Sequence, residues 1–256
     1  MKRIRQFLSS FLVAGLLGLG LVAQAGAVTG SAARYDQAIQ TRAAQELAKK
    51  QEFRNVQATT EDGIVTLSGT VDLYQQKLDA AKKVKKMSNV QGVRNLIEVA
   101  GKNVPDAELA AKLDRKIYFD RVGYDAAFNY IDVSVKDGVA TLQGATRTDV
   151  GRDSALALAN RMPGVKDVVN EIKVLPVSGF DDQIRLRALR AIYRDPVLSR
   201  YAIDPARPIR IVVDNGHVAL YGVVDNTMDK QVAGIRANQV FGAFSVQNNL
   251  QVAKQS

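Results

Sequence analysis

The sequence predicts an α+β protein made of three tandem domains, each in the order α-β-β-α-β. Three observations carry this prediction. The phrase Asp62-Gly63-Ile64-Val65-Thr66-Leu67-Ser68-Gly69 returns with small changes from Asp137 to Gly144 and from Asn215 to Gly222. The register is constant: an offset of 75 runs ungapped from Asp62 to Val99, and an offset of 78 joins the second copy to the third. Within each copy, helical spacing of apolar residues gives way to alternation and then returns. Fixed-period self-similarity marks a repeated structural unit.

Each unit opens with an acid followed by an apolar stripe: Asp36 with Ile39, Ala43 and Leu47; Asp106 with Leu109, Leu113 and Ile117; Asp181 with Ile184, Ala188 and Ile192. That spacing lays one face on a helix and places Asp as its N-cap. A strand follows, as in Ile131-x-Val133-x-Val135 and Ile209-x-Ile211-x-Val213. Asp62-Gly63, Asp137-Gly138 and Asn215-Gly216 then make two-residue hairpin turns, which need positive φ at both positions. In the second strand Val65 and Leu67, Ala140 and Leu142, and Val218 and Leu220 face the core. Gly69, Gly144 and Gly222 share that phase, leaving room for the next helix to approach. That helix carries small residues four apart: Ala80 and Val84, Ala155 and Ala159, Ala233 and Ala237. A last strand closes each copy around Asn95, Asn170 or Asn248, expected to hydrogen-bond locally at a strand edge. A right-handed crossover sets this strand parallel to the second. The result is a three-stranded mixed sheet with two helices on one face. The domains are expected at 34–101, 104–175 and 180–253, with short linkers near Gly101–Pro105 and Pro176–Gly179.

Residues 1–25 read as a secretory signal peptide. Lys2, Arg3 and Arg5 precede an apolar run from Phe7 to Ala23, and Ala23-Gln24-Ala25 fits a cleavage site. No transmembrane segment is expected after cleavage. The chain has no cysteine, so neither a Cys-linked lipid nor a disulfide can form. The expected location is the periplasm. With 35 basic and 26 acidic residues the chain is net +9, falling to +6 without the first 25 residues. That permits attraction to anionic headgroups, and no nucleic-acid motif appears.

The D-G-x-V-x-L-x-G phrase, the helix after it and the ending V-x-x-V-x-N-x-I-x-V closely resemble the BON domain family. The resemblance covers about residues 34–253 in three copies. Copy one departs at Gly92 and Arg94. Copy three departs at His217 and Tyr221, and carries Ala243-Phe244-Ser245 where copy two has Val165-Lys166-Asp167. The resemblance implies secreted envelope proteins associated with osmotic and envelope stress, phospholipid binding and periplasmic chaperoning. It implies no catalysis and supplies no catalytic or ligand residues.

The residue inventory agrees. With no Cys and a single His, His217, no nucleophile elbow and no metal-ligand cluster can be assembled, and neither cofactor nor metal is expected. Two features suit binding. The first is cationic. Lys82, Lys83, Lys85 and Lys86 crowd the second helix of copy one. Lys77, Arg152 and Lys230 recur at one place in all three copies. Arg185, Arg187 and Arg190 line the first helix of copy three. These residues are candidates for an anionic phospholipid surface. The second is aromatic. Inserts between first helix and first strand carry Tyr118, Phe119, Tyr124 and Phe128 in copy two and Tyr201 in copy three. They suit a membrane interface or an envelope-protein partner, or equally a loop folded over the sheet. Copies one and three are each net +3 and copy two is neutral, so an anionic surface is expected to be met by the outer copies.

Overall fold

The apolar stripes and alternating runs fold where their spacing places them. Domain 1 comprises α1 (Asp36–Ala48), β1 (Val56–Glu61), β2 (Ile64–Val71), α2 (Tyr74–Lys85), β3 (Gly92–Asn95) and β4 (Glu98–Val99). Domain 2 comprises α3 (Asp106–Asp120), β5 (Tyr130–Lys136), β6 (Val139–Thr146), α4 (Asp149–Asn160) and β7 (Asp167–Val174). Domain 3 comprises α5 (Gly179–Tyr193), β8 (Arg210–Asp214), β9 (His217–Tyr221), β10 (Val223–Val224), α6 (Thr227–Asn238), β11 (Ser245–Asn248) and β12 (Gln251–Val252). The computed structural model describes residues 33–120, 129–202 and 208–253. The expected signal peptide, Tyr124 and Phe128 lie outside them.

In every domain the hairpin is antiparallel and the closing strand runs parallel to the hairpin's second strand. The closing strand is continuous in domain 2. In domains 1 and 3 it breaks after the asparagine, and the short strands β4 and β12 resume the pairing. Each core lies between the sheet and its two helices. Ile39, Ala43 and Leu47 meet Val65, Leu67, Ala80 and Val84 in domain 1; equivalent clusters fill the other two.

The acid that opens each unit does not cap its own helix. Asp36 accepts the backbone N–H groups of Asp62 and Gly63, each at 2.8 Å. Asp106 holds those of Asp137 and Gly138 at 2.7 and 3.0 Å, and Asp181 those of Asn215 and Gly216 at 3.0 and 2.7 Å. A two-residue turn leaves its amides pointing out of the ladder, and the carboxylate supplies both acceptors at once. In α5 the N-cap is Ser178, whose Oγ accepts from the Asp181 amide at 3.2 Å. The turns have the expected positive φ, from 49° to 80° across the six residues.

The glycines at the end of the repeated phrase also act differently from expectation. Gly69, Gly144 and Gly222 have φ of +101°, +122° and +120°. A Cβ there would lie 1.9, 2.2 and 2.6 Å from the carbonyl oxygens of Asn55, Tyr130 and Pro208. The close neighbour is therefore the backbone at the start of the partner strand, not the following helix.

Candidate functional site

The cationic candidates separate into engaged and open groups. In α2, Lys83 pairs with Glu46 of α1 at 3.0 Å, bridging the two helices. Lys82, Lys85 and Lys86 are exposed at the C-terminal end of the helix and make no ion pair among the described residues. Cations are favourable at a helix C-terminus. Lys77 and Lys230 are half-buried, and their carbonyls accept the side-chain amides of Asn95 and Asn248 at 2.8 and 2.7 Å. Those asparagines also accept from the amides of Ile97 and Leu250, and Asn170 accepts from Ile172. The recurrent asparagine thus bonds locally, as expected, and in domains 1 and 3 it pins the closing strand to the helix. Arg152 sits between Asp149 and Asp153, both at 2.8 Å. Its charge is offset on its own helix, unlike those of Lys77 and Lys230, which make no ion pair among the described residues.

Arg185 does not face solvent. It is only 5% exposed and donates to Asp182 at 2.7 Å and to the Val213 carbonyl at 3.0 Å. Burial lowers the pKa of its guanidinium, and the neighbouring Asp182 opposes that shift. It ties α5 to the sheet and is removed from the set of lipid contacts. Helical spacing alone could not tell it from Arg187 and Arg190, which are exposed.

The aromatic inserts divide similarly. Tyr118 and Phe119 fall on the last turn of α3, edge to face at 5.1 Å, with Phe119 exposed. Tyr118 lies under the Arg210 guanidinium of domain 3, 4.8 Å from its ring centre. Tyr201 is 3% exposed and joins the domain 3 core. Its hydroxyl donates to Asp229 at 2.5 Å and accepts from the Asp225 amide at 2.8 Å. Arg200 also bonds Asp229. Tyr201 therefore anchors its insert to the start of α6, and it is not a partner contact.

A site that the residue pattern did not single out lies at the turn end of domain 3. Phe241 and Phe244, in the loop before β11, are 83% and 70% exposed. Phe180, at the start of α5, is also exposed, and its ring lies 6.0 Å from that of Phe244. Arg187 sits 5.7 Å from the Phe241 ring centre and donates to the Phe241 carbonyl at 3.1 Å. His217 meets Phe244 edge to face at 6.1 Å, with Nδ1 2.7 Å from Ser245 Oγ. The repeat offsets put Pro163 and Lys166 of copy two where Phe241 and Phe244 stand. The signal was the Ala243-Phe244-Ser245 departure, legible as a difference but not as a patch. Two chain segments far apart had to meet first.

The domains also touch one another. Tyr130 and Tyr221 stack with ring centres 4.5 Å apart and planes inclined by 12°, and Arg147 pairs with Asp182 at 2.6 Å. Asp167 of domain 2 lies beside the Tyr74 hydroxyl of domain 1; burial first, and that carboxylate second, push Tyr74 up to about 12. Burial likewise raises the pKa of Tyr130. Among the described residues no helix is long and apolar enough to cross a membrane.

Against known proteins, the BON domain model matches three segments, residues 35–101, 105–176 and 181–254. Osmotically-inducible protein Y of Escherichia coli (strain K12) is 28% identical over 130 residues, which cover 46% of this chain and 61% of that protein. An uncharacterized protein in the gshII 5' region of Anaplasma centrale is 27% identical over 143 residues, 54% of this chain and 94% of its own length. Among solved structures, the C-terminal domain of CdsD, a structural protein of the type III secretion system of Chlamydia trachomatis, aligns over 83% of this chain and 96% of its own, with TM-score 0.24 and 14% identity. The repeated hairpin phrase, the helix order and the three matched segments together cover most of the sequence, and the chain belongs to the BON domain family.

Proposed function

We propose that this is a secreted, periplasmic, non-enzymatic envelope protein that binds peripherally to anionic phospholipid surfaces. The name of its osmotically inducible relative supports a role under osmotic stress. The observation that carries the reading is the patch of Phe180, Phe241 and Phe244 beside Arg187. Exposed rings are costly in water, whereas aromatic side chains flanked by cations suit the headgroup boundary. The open lysines Lys82, Lys85 and Lys86 supply a second contact of the same sign on another domain. Two weak contacts on one chain multiply through effective concentration.

The same exposed phenylalanines favour a second reading, capture of an apolar segment of an envelope protein. Vesicle sedimentation of the Phe241→Ser/Phe244→Ser variant separates the two. The variant is expected to lose at least about tenfold in affinity for phosphatidylglycerol vesicles, roughly 1.4 kcal/mol. Binding equal to the parent chain would remove the patch from the membrane contact. Retained vesicle binding with lost suppression of client aggregation would favour the second reading.

A further inference from the structure

Among the described residues, each domain covers one sheet face with helices and leaves the other bare. In domains 2 and 3 the bare faces turn toward each other. They touch at the Tyr130–Tyr221 stack, and residues of both sheets line an open cleft of about 810 Å³. That lies within the roughly 300–1,000 Å³ of small-ligand sites.

The lining is rich in planar polar side chains. Gln143, Glu171 and Lys173 come from domain 2; Gln247, Asn249 and Gln251 come from domain 3. Gln143 donates to Asp132 at 2.8 Å. The side chains of Glu171, Lys173, Gln247, Asn249 and Gln251 make no hydrogen bond or ion pair among the described residues. Each amide carries two donors and an acceptor, held in one plane. Apart from the Gln143–Asp132 bond, this hydrogen-bonding capacity converges on one concave space without being used among the described residues.

Charge and polarity narrow the ligand. The walls carry the carboxylates Asp132, Glu171 and Asp214 against the single ammonium of Lys173. That balance repels anions, so this cleft is not a headgroup site. The apolar lining, Ala145, Leu175, Val212, Val218 and Ala219, is interspersed with these polar groups, which an acyl chain would have to desolvate. Vicinal hydroxyls, each both donor and acceptor, match side-by-side amide donors and acceptors. The stacked tyrosines also line the cleft and supply apolar surface beside the polar groups. The geometry points to this cleft as a binding site for a neutral, hydroxyl-rich ligand, an oligosaccharide.

The test uses isotope-labelled residues 26–256 and follows side-chain amide NMR signals during titration with chitotetraose, maltotetraose or tetralysine. Saturable shifts of Gln247, Asn249 and Gln251 are expected with one of the sugars, with Kd in the range of about 0.1–1 mM. Gln247→Ala/Gln251→Ala, at exposed positions, is expected to weaken that binding about tenfold or more without altering the backbone spectrum. Unmoved amides with both sugars at several times that concentration would overturn the assignment. So would shifts produced by tetralysine alone, which would give the cleft to a basic peptide. Vesicle binding plays no part in either result, so this site and the lipid reading stand or fall separately.

Discussion

At the scale of single residues, the feature that recurs most faithfully is the carboxylate that holds a hairpin turn. Asp36, Asp106 and Asp181 each accept two backbone N–H groups from a turn 26 to 35 residues away. Charge-assisted bonds of this kind are worth about 1.5–3 kcal/mol each when lost. Asp181→Asn keeps one acceptor and gives up the other. It is expected to speed hydrogen exchange at Asn215 and Gly216 by at least about tenfold, measured by exchange NMR, while the Ile184–Ile192 stripe stays protected. Equal protection in the variant would show that the turn holds itself. The Asp positions were visible in the sequence, but their partners were not. An Asp before an apolar stripe has the local signature of an N-cap, and only the closed fold brings the turn amides to it. Arg185 and Arg187 show the same limit. They stand two apart on one helix, one locked under the sheet edge and the other beside Phe241.

Among the elements, α2 and the loop before β11 carry the surface chemistry. Among the described residues Lys82, Lys85 and Lys86 hold no acid, and each is expected to contribute about 1 kcal/mol near an anionic bilayer. Changing all three to Gln should weaken binding to phosphatidylglycerol vesicles by a factor of tens or more at low salt, read by sedimentation. An identical change at Arg152 should do little, because Asp149 and Asp153 already offset it. If the triple variant binds as the parent does, α2 is an ordinary solvated helix. Element order, turn positions and core stripes were legible because each rests on periodicity within one segment. The inserts were not. The chain from Tyr193 to Pro208 reads as an aromatic, basic loop, but Leu198 and Tyr201 sink into the core of domain 3 and Asp229 secures the ring. Burial of an irregular segment leaves no period to read.

For the whole molecule, the three domains are joined by few contacts of distinct chemistry. Among the described residues, domain 1 meets domain 2 through Tyr74 and Asp167, and domain 2 meets domain 3 through the tyrosine stack, the Arg147–Asp182 pair and Arg210 over the Tyr118 ring. Burial first, and the Asp167 carboxylate second, raise Tyr74 to about 12, so the folded chain holds its proton more tightly than the unfolded one. Its contribution to stability is full below pH 10 and is lost as pH rises through about 12. Tyrosinate absorbance should therefore show Tyr74 among the late-titrating groups, and Tyr74→Phe should remove one such group; an unchanged titration would contradict the buried placement. None of these junctions was visible in the sequence, because each joins residues from different repeats. Short linkers announced only that the domains would be neighbours. Under the proposed function, the assembled chain rests on an anionic membrane surface. Sedimentation of residues 26–256 with phosphatidylglycerol or phosphatidylcholine vesicles, at low and at high salt, tests it most directly. Binding to the anionic vesicles alone is expected, strongly weakened at high salt, where screening shortens the reach of Lys and Arg charges. Equal recovery with both lipids, or none with either, would contradict it.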